Sequence, residues 1–376
     1  MGLWDRIKRA LSGGPAFDPM LTRDRVTLVP LEGVRVPTSE DPAEWSVFHD
    51  WLEERGDVRA ELLRRFERHE QFEEFLAANA LTLMGELAVH LTRRNSRAWR
   101  TNLGLTWRHG LPLGLSFRMA DEGRPVWPFV EQAFSLPFFS TVEELGIGLS
   151  GMEPLMESEN GVLVRPAAQR LRRLTLGDFT FPDECELSWA ELGDVGSVWR
   201  TLPKLEQLTL QGSAVLGEVD APALKAFSWI TVGVDDDDLD ALEQARWPLL
   251  ERFALWAGSS VTADQLQPLL SALPAGVTSL ALCNTSLEGV ADVLASLPLA
   301  SRLERLDLSK GTLDDEGARL LLARRARFPR LTSLDVSENY LSLDGMRELG
   351  EWVPTTATNQ RDALESDGER FVAVGE

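Results

Sequence analysis

Leu303-Glu304-Arg305-Leu306-Asp307-Leu308 and, 28 residues further on, Leu331-Thr332-Ser333-Leu334-Asp335-Val336 share one spacing of apolar side chains, L-x-x-L-x-L. The spacing recurs upstream at Val142-x-x-Leu145-x-Ile147, Leu171-x-x-Leu174-x-Leu176, Leu205-x-x-Leu208-x-Leu210, Leu224-x-x-Phe227-x-Trp229, Leu250-x-x-Phe253-x-Leu255 and Val277-x-x-Leu280-x-Leu282. Successive first positions lie 29, 34, 19, 26, 27, 26 and 28 residues apart. The inner alternation is the period-2 pattern of a short strand with one buried face. The stretch behind it often turns to helical spacing, as in Asp315-Glu316-Gly317-Ala318-Arg319-Leu320-Leu321-Leu322. Each unit therefore reads as a strand and a return segment, which cannot bury its apolar side alone but can do so against stacked neighbours. The uneven early spacings predict irregular loops near Pro182–Gly196 and no helix between Leu205 and Leu224.

The two quoted copies continue as Leu313-Asp314-Asp315-Glu316-Gly317 and as Ser337-Glu338-Asn339-Tyr340-Leu341 with Asp344-Gly345. In this they resemble the leucine-rich repeat family, and within it the long-repeat, ribonuclease-inhibitor-like type. The resemblance implies an α/β fold: a leucine-rich repeat solenoid with a curved parallel sheet on the concave face, helices and irregular segments on the convex face, and a helical N-terminal cap. The family's buried turn residue is matched by Asn339 and Thr285 but replaced by Gly258 and Gly311, so its asparagine ladder is expected to be incomplete.

Residues 41–76 read as helical. Asp41 suits an N-cap, Pro42 the first turn and Glu44 a capping box, while Trp45, Phe48, Trp51 and Leu52 share a face. Gly56 ends this helix and Asp57 starts the next. The string Asp50-Trp51-Leu52-Glu53-Glu54-Arg55-Gly56-Asp57 resembles the repeat-companion segment that precedes leucine-rich repeats in some bacterial proteins, which implies an N-terminal cap. Leu111–Phe117 is expected to be the first strand of the array, and Arg370–Val374 a capping strand at its far end. An ending similar to Arg370-Phe371-Val372-Ala373-Val374-Gly375-Glu376 occurs in bacterial leucine-rich repeat proteins; it supports the architecture and supplies no biochemistry. The expected organisation is an amphipathic helix at 1–14, a linker at 15–40, a helical cap at 41–100, the solenoid at 101–352, and a polar loop with its capping strand at 353–376.

The chain has 376 residues and a formal charge of -21, with 38 basic and 59 acidic side chains. Residues 1–120 carry 17 of each sign, so the whole excess lies in 121–376. Nucleic acid is a poor partner for such a chain, because binding it by counterion release needs clustered positive charge. Cys185 and Cys283 fall in separate units and suggest no disulfide, which favours a reducing compartment. With no apolar run of membrane-spanning length and no secretory h-region, the expected location is cytoplasmic. Leu3, Trp4, Ile7 and Leu11 share a helical face opposite Arg6, Lys8 and Arg9. Three readings of this basic amphipathic helix stay open: a weak peripheral foot on the inner membrane surface, a docking helix for a partner, and a helix packed on its own protein.

Little in the chain suggests catalysis. His49, His69, His90 and His109 all precede the repeats, and His69-Glu70-Gln71-Phe72-Glu73 lacks the second histidine of H-E-x-x-H. There is no G-x-S-x-G and no P-loop. Gly146-Ile147-Gly148-Leu149-Ser150-Gly151 fits G-x-G-x-x-G formally, but no helix pattern follows it. Asp235–Asp238 lacks the alternation of a calcium loop and suits an acidic helix N-terminus. Neither cysteine has a basic neighbour that would activate it. No catalytic residue, cofactor or metal is expected.

The x residues of each copy should point away from the core, onto the surface most leucine-rich repeat proteins use for partners. They mix both signs with small polar groups and fit a protein partner. Arg252, Trp256, Arg305 and Asp307 are the expected contact cluster, because Trp and Arg dominate interface hot spots; Arg172 and Glu206 extend it. The expected function is a non-enzymatic interaction module or scaffold. The alternative is a regulator or inhibitor of a partner enzyme, such as a small GTPase or a toxin-like enzyme. Oligomeric state is not legible.

Overall fold

The structure, a computed structural model, describes residues 27–31, 33–38, 41–69, 71–88, 102–118, 125–149, 153–362 and 369–375. The chain divides into two compact units, one of residues 1–153 and 158–172, the other of residues 154–157 and 173–376.

In the first unit three helices precede a small sheet: α1 (Pro42–Glu53), α2 (Val58–Arg68) and α3 (Phe72–Met84). Asp41 and Asp57 cap α1 and α2 by accepting from Ala43 N and Arg59 N. Between these helices Gly56 takes a left-handed φ of 63°. The helices thus break at Glu54–Asp57, where Gly56 and Asp57 predict a boundary, and again at His69–Gln71, a break the pattern does not predict and where His69 and Gln71 both adopt positive φ. Trp45, Phe48 and Leu52 of α1 pack with Ala60, Leu63, Leu31 and Leu111 in one buried cluster.

Leu111 opens β2 (Leu111–Arg118), which the expected first strand matches. β2 pairs antiparallel with β1 (Asn102–Arg108), a hairpin not anticipated from the repeat spacing, and parallel with β3 (Glu144–Ile147). α4 (Trp127–Ser135) lies between β2 and β3 in the chain. Below the helices, Arg59 and Asp57 form a wholly buried ion pair at 2.7 Å. A second bond at 2.9 Å makes the pair bidentate, and Val29 O, Pro137 O and Ser140 Oγ accept the remaining guanidinium protons. A buried pair is tolerable only when its hydrogen-bonding groups are satisfied in this way.

In the second unit eight strands pair in parallel in the order β4 (Arg173–Leu176), β6 (Gln207–Gln211), β8 (Ala226–Ile230), β9 (Arg252–Gly258), β10 (Ser279–Thr285), β11 (Arg305–Asp307), β12 (Ser333–Asp335) and β13 (Thr355–Thr356). Each L-x-x-L-x-L copy from Leu171 onward supplies one strand, and its apolar positions are buried except Leu331, which is half-buried. From β8 onward the returns are α6 (Asp236–Glu243), α7 (Ala263–Ala272), α8 (Val290–Ser296), α9 (Asp315–Ala323) and α10 (Leu343–Trp352). Four of the five start at a side-chain cap: Asp235 and Thr262 form capping boxes, while Asp314 and Ser342 accept from amides of the first turn; α8 follows Gly289, which has a left-handed φ of 75° and no side chain to cap with.

The earlier returns differ. No helix occurs between Leu205 and Leu224, as the 19-residue spacing predicts. β5 (Glu191–Asp194) and β7 (Ser213–Val215) instead pair with each other as a separate two-stranded parallel sheet, followed and preceded respectively by the short α5 (Gly196–Thr201) and by β6. Buried aromatic rings pack nearby. Phe227 lies 5.3 Å from Trp247 and 6.0 Å from Phe253, and the Nε1–H groups of Trp199 and Trp229 donate to Leu216 O and Gly212 O.

The far end departs from expectation. Residues 370–374 form no strand; β13 is the last strand among the described residues, and its two residues follow α10 closely in the chain. The segment 369–375 instead lies irregularly against three of the repeats, held mainly by side chains, so its alternating valines reflect burial on one side without a ladder.

Candidate partner-binding face

The strand register sets the outward side chains of the second unit in rows. One row is Ala226, Arg252, Ser279, Arg305 and Ser333; the next is Ser228, Ala254, Ala281, Asp307 and Asp335. Arg252 and Arg305 are both exposed and stand two strands apart with Ser279 between them. The second row has a floor of small residues, Ser228, Ala254 and Ala281, before the two carboxylates.

Trp256 pairs in register with Cys283, two positions beyond Ala254. It is half-buried, and the Lys310 ammonium sits 5.8 Å from its ring centroid. That ammonium also pairs with the Glu338 carboxylate at 2.5 Å. The structure therefore brings Arg252, Trp256, Arg305 and Asp307 onto adjoining rows and adds Lys310, which sequence reasoning missed. The missed signal is positional. Gly212, Asn284, Lys310 and Glu338 each stand two residues beyond the last apolar position of a copy, and all four have positive φ. A lysine or glutamate where the chain would accept Gly or Asn marks a side chain kept for a reason other than the turn.

The carboxylate of Asp307 accepts from Ser309 N at 2.9 Å, and Asp335 does the same with Ser337 N. Both aspartates thus close a turn of their own repeat while facing outward. Glu206 pairs with Lys225 at 2.8 Å on the exposed face, an ion pair worth at most about 1 kcal/mol and readily exchanged for a partner's charge. Arg172 belongs to the first unit, where its amide donates to Glu143 O. Leu3, Trp4, Ile7 and Leu11 lie outside the described residues.

The turn residues explain where the asparagine ladder persists. Asn339 is wholly buried; its Nδ2 donates to Leu308 O, Val336 O and Ser337 O, and its Oδ1 accepts from Leu313 N. Thr285 does part of this work, accepting from Ala257 N and donating to Cys283 O. At Gly258 the backbone turns left-handed, and a Cβ would lie 2.6 Å from Val232 O.

Among the described residues no nucleophile stands beside a base in a cleft. One cleft of about 440 Å³ in the first unit is lined by Val34, Arg35, Pro37, Ala43, Glu44, Val47, Phe48 and Trp51, without a nucleophile. Burial and the nearby Asp307 carboxylate push the Cys283 thiol far up, and burial with Glu186 raises that of Cys185; both cysteines are free thiols. His49, Asp50 and Glu53 are the one group of three or more potential ligands among the described residues whose ligand atoms lie within 4.8 Å of one another, on a largely exposed side of α1. The Asp235–Asp238 run is spent on capping α6: Asp235 and Asp238 bond each other's backbone amides, and burial raises Asp238 to about 6.

No family model matches the chain, and no curated protein matches it. Among solved structures, a Bacteroides fragilis protein determined as a structural-genomics target is similar at 22% identity with a TM-score of 0.59, over 68% of this chain and 77% of that one. That likeness concerns fold, and the repeated strand-and-return units with the buried Asn339 turn say which. The fold is a leucine-rich repeat solenoid. An internalin of Listeria monocytogenes (14% identity, TM-score 0.34, 63% of this chain and 61% of that one) and TLR13 in its complex with ssRNA13 (13%, 0.28, 68% and 46%) also match, but superpose poorly. In this leucine-rich repeat solenoid the rows described above lie on the sheet's outward side, opposite the buried leucines. Among the described residues no helix is long and apolar enough to cross a membrane.

Proposed function

We propose that the protein is a non-enzymatic interaction module which grips a protein partner on the strand face of its leucine-rich repeats. Arg252 and Arg305 supply charge there, Trp256 an apolar anchor, and Asp307 with Glu206 the opposite sign; Arg172 belongs to the same reading. The observation that carries it is the row of open side chains in parallel register, two arginines two strands apart, beside a half-buried tryptophan that a lysine holds in place. Such a face offers an aromatic and cationic anchors on a rigid support, the composition of interface hot spots. The type of repeat is read as ribonuclease-inhibitor-like, with a repeat-companion segment at 41–100 ahead of it in the chain, and the working location as the cytoplasm, which the two free thiols support.

The test compares the full chain with a Trp256→Ala/Arg305→Glu variant of unchanged urea midpoint in co-purification from native lysate. A protein retained by the wild type and lost by the variant supports the reading, and its identity separates a scaffold from an enzyme regulator. Equal retention of all partners by both sinks it.

A further inference from the structure

We propose that the ridge formed by Asn284, Lys310 and Tyr340 is a binding site for an extended peptide, and that residues 369–375 of this chain are its intramolecular occupant. This surface adjoins the strand face at Lys310, whose ammonium meets Trp256 while its carbonyl serves the ridge, but it is tested separately from that face.

Asn284 is wholly buried, and its carboxamide hydrogen-bonds the occupant's main chain. Its Nδ2 donates to Val374 O at 2.8 Å and its Oδ1 accepts from Val374 N at 2.7 Å, the two-way bonding one residue gives another across a ladder. Tyr340 repeats the arrangement with one hydroxyl, donating to Phe371 O and accepting from Phe371 N, both at 3.0 Å. Between them Lys310 O accepts from Ala373 N at 2.8 Å. Arg361 stacks 4.5 Å over the Tyr340 ring and donates to Gly311 O and Glu338 O, which fixes the tyrosine from the protein's own side.

All five of these bonds go to the occupant's main chain, so they read an extended backbone and not its sequence. Selection falls to three side chains. Val372 and Val374 are buried at alternate positions, while Phe371 between Arg370 and Val372 is 52% exposed; Arg370 pairs with Asp314 at 2.9 Å. The ligand class is therefore an extended peptide with a basic residue followed, two and four positions later, by branched aliphatics. The occupant runs back across three repeats, from Tyr340 to Lys310 to Asn284. It belongs to no helix or strand and lays down only two buried side chains, so it can open without the repeats opening. A tethered occupant keeps its place by effective concentration, and a free peptide of the same pattern competes for it.

The probe is a labelled octapeptide, Glu-Arg-Phe-Val-Ala-Val-Gly-Glu, added to the full chain and to a full-length Val372→Asp/Val374→Asp variant, which vacates the ridge and leaves every ridge residue in place. Saturable binding to the variant, at least tenfold tighter than to the wild type and weakened several-fold by a further Tyr340→Phe, is expected. A folded variant that does not bind the octapeptide, or a wild type that binds it equally well, overturns the proposal. Should the variant not fold, amide exchange of the wild type decides. Exchange at Phe371, Ala373 and Val374 is expected to be at least tenfold slower than in the free octapeptide and faster than in β10. Rates equal to the free peptide show that nothing is held, and rates equal to β10 show a fixed part of the fold; either overturns it.

Discussion

Within the second unit, the returns after β4 and β6 and those after β8 solve one packing problem in two ways. The later copies are 26 to 28 residues long between first positions, enough for a strand, a turn and about two or more turns of helix, and four of the five helices carry a side-chain cap. The copy starting at Leu205 has 19 residues, and its return is the short, largely exposed strand β7, paired with β5. Flanking copies contribute a cluster of rings beside it, Trp199, Phe227, Trp247 and Phe253. Repeat length thus selects the return, while the strand and its buried leucines stay constant.

The later half depends on turn hydrogen bonds, so Asn339→Ala should be the most damaging change there. It strips four bonds from a buried site and leaves Leu308 O and Leu313 N short of partners, an expected loss of about 4 kcal/mol. Equilibrium urea unfolding measures it, and a loss below about 1 kcal/mol would show the ladder to be dispensable. The earlier half should depend on close backbone approach. Gly177→Ala places a Cβ 2.1 Å from Gln211 O at a φ of 81°, and should cost about 3 kcal/mol in the same assay. Trp229→Phe keeps most of the ring area but orphans Gly212 O, so a loss of about 1–2 kcal/mol is expected, visible as a lower urea midpoint.

The smallest effect concerns α6, the first helical return. Asp238, raised to about 6 against an ordinary 3.8, holds its proton in the folded state at pH values where the unfolded chain has lost it. Stability from this group is therefore lost as pH rises from about 4 to about 6. Asp238→Asn keeps an oxygen to accept from Asp235 N, so the difference in urea midpoint between pH 4.5 and pH 7 should shift toward greater stability at pH 7. An unchanged difference would mean that the carboxyl titrates normally.

The strands were legible because their signal is local: three apolar positions in six residues, repeated. The missing helix was legible from a length alone. β1 was not, since Asn102–Arg108 alternates apolar and polar residues without the full spacing and finds its partner only across a tight turn at His109–Gly110. Of the candidate face, Arg252, Arg305 and Asp307 could be placed outward by counting. Lys310 could not, because its ammonium reaches Trp256 from a turn 54 positions away in the chain. The closing valines read as a strand for a sound reason, their alternation, but Asn284 and Tyr340 supply the hydrogen bonds a ladder would have given, and contacts across 90 and 31 positions leave no trace in local pattern.

The regular register of β9 to β12 also works as a ruler. Neighbouring strands are spaced by about 4.8 Å, whereas an extended chain advances about 3.3 Å per residue. Two strand steps therefore match three residues, and a chain laid straight across the sheet returns to phase at Arg252 and Arg305, which are separated by one strand. The arithmetic sets a beat: two acidic groups three residues apart would meet both arginines, while an alternating chain would meet only one of them in step.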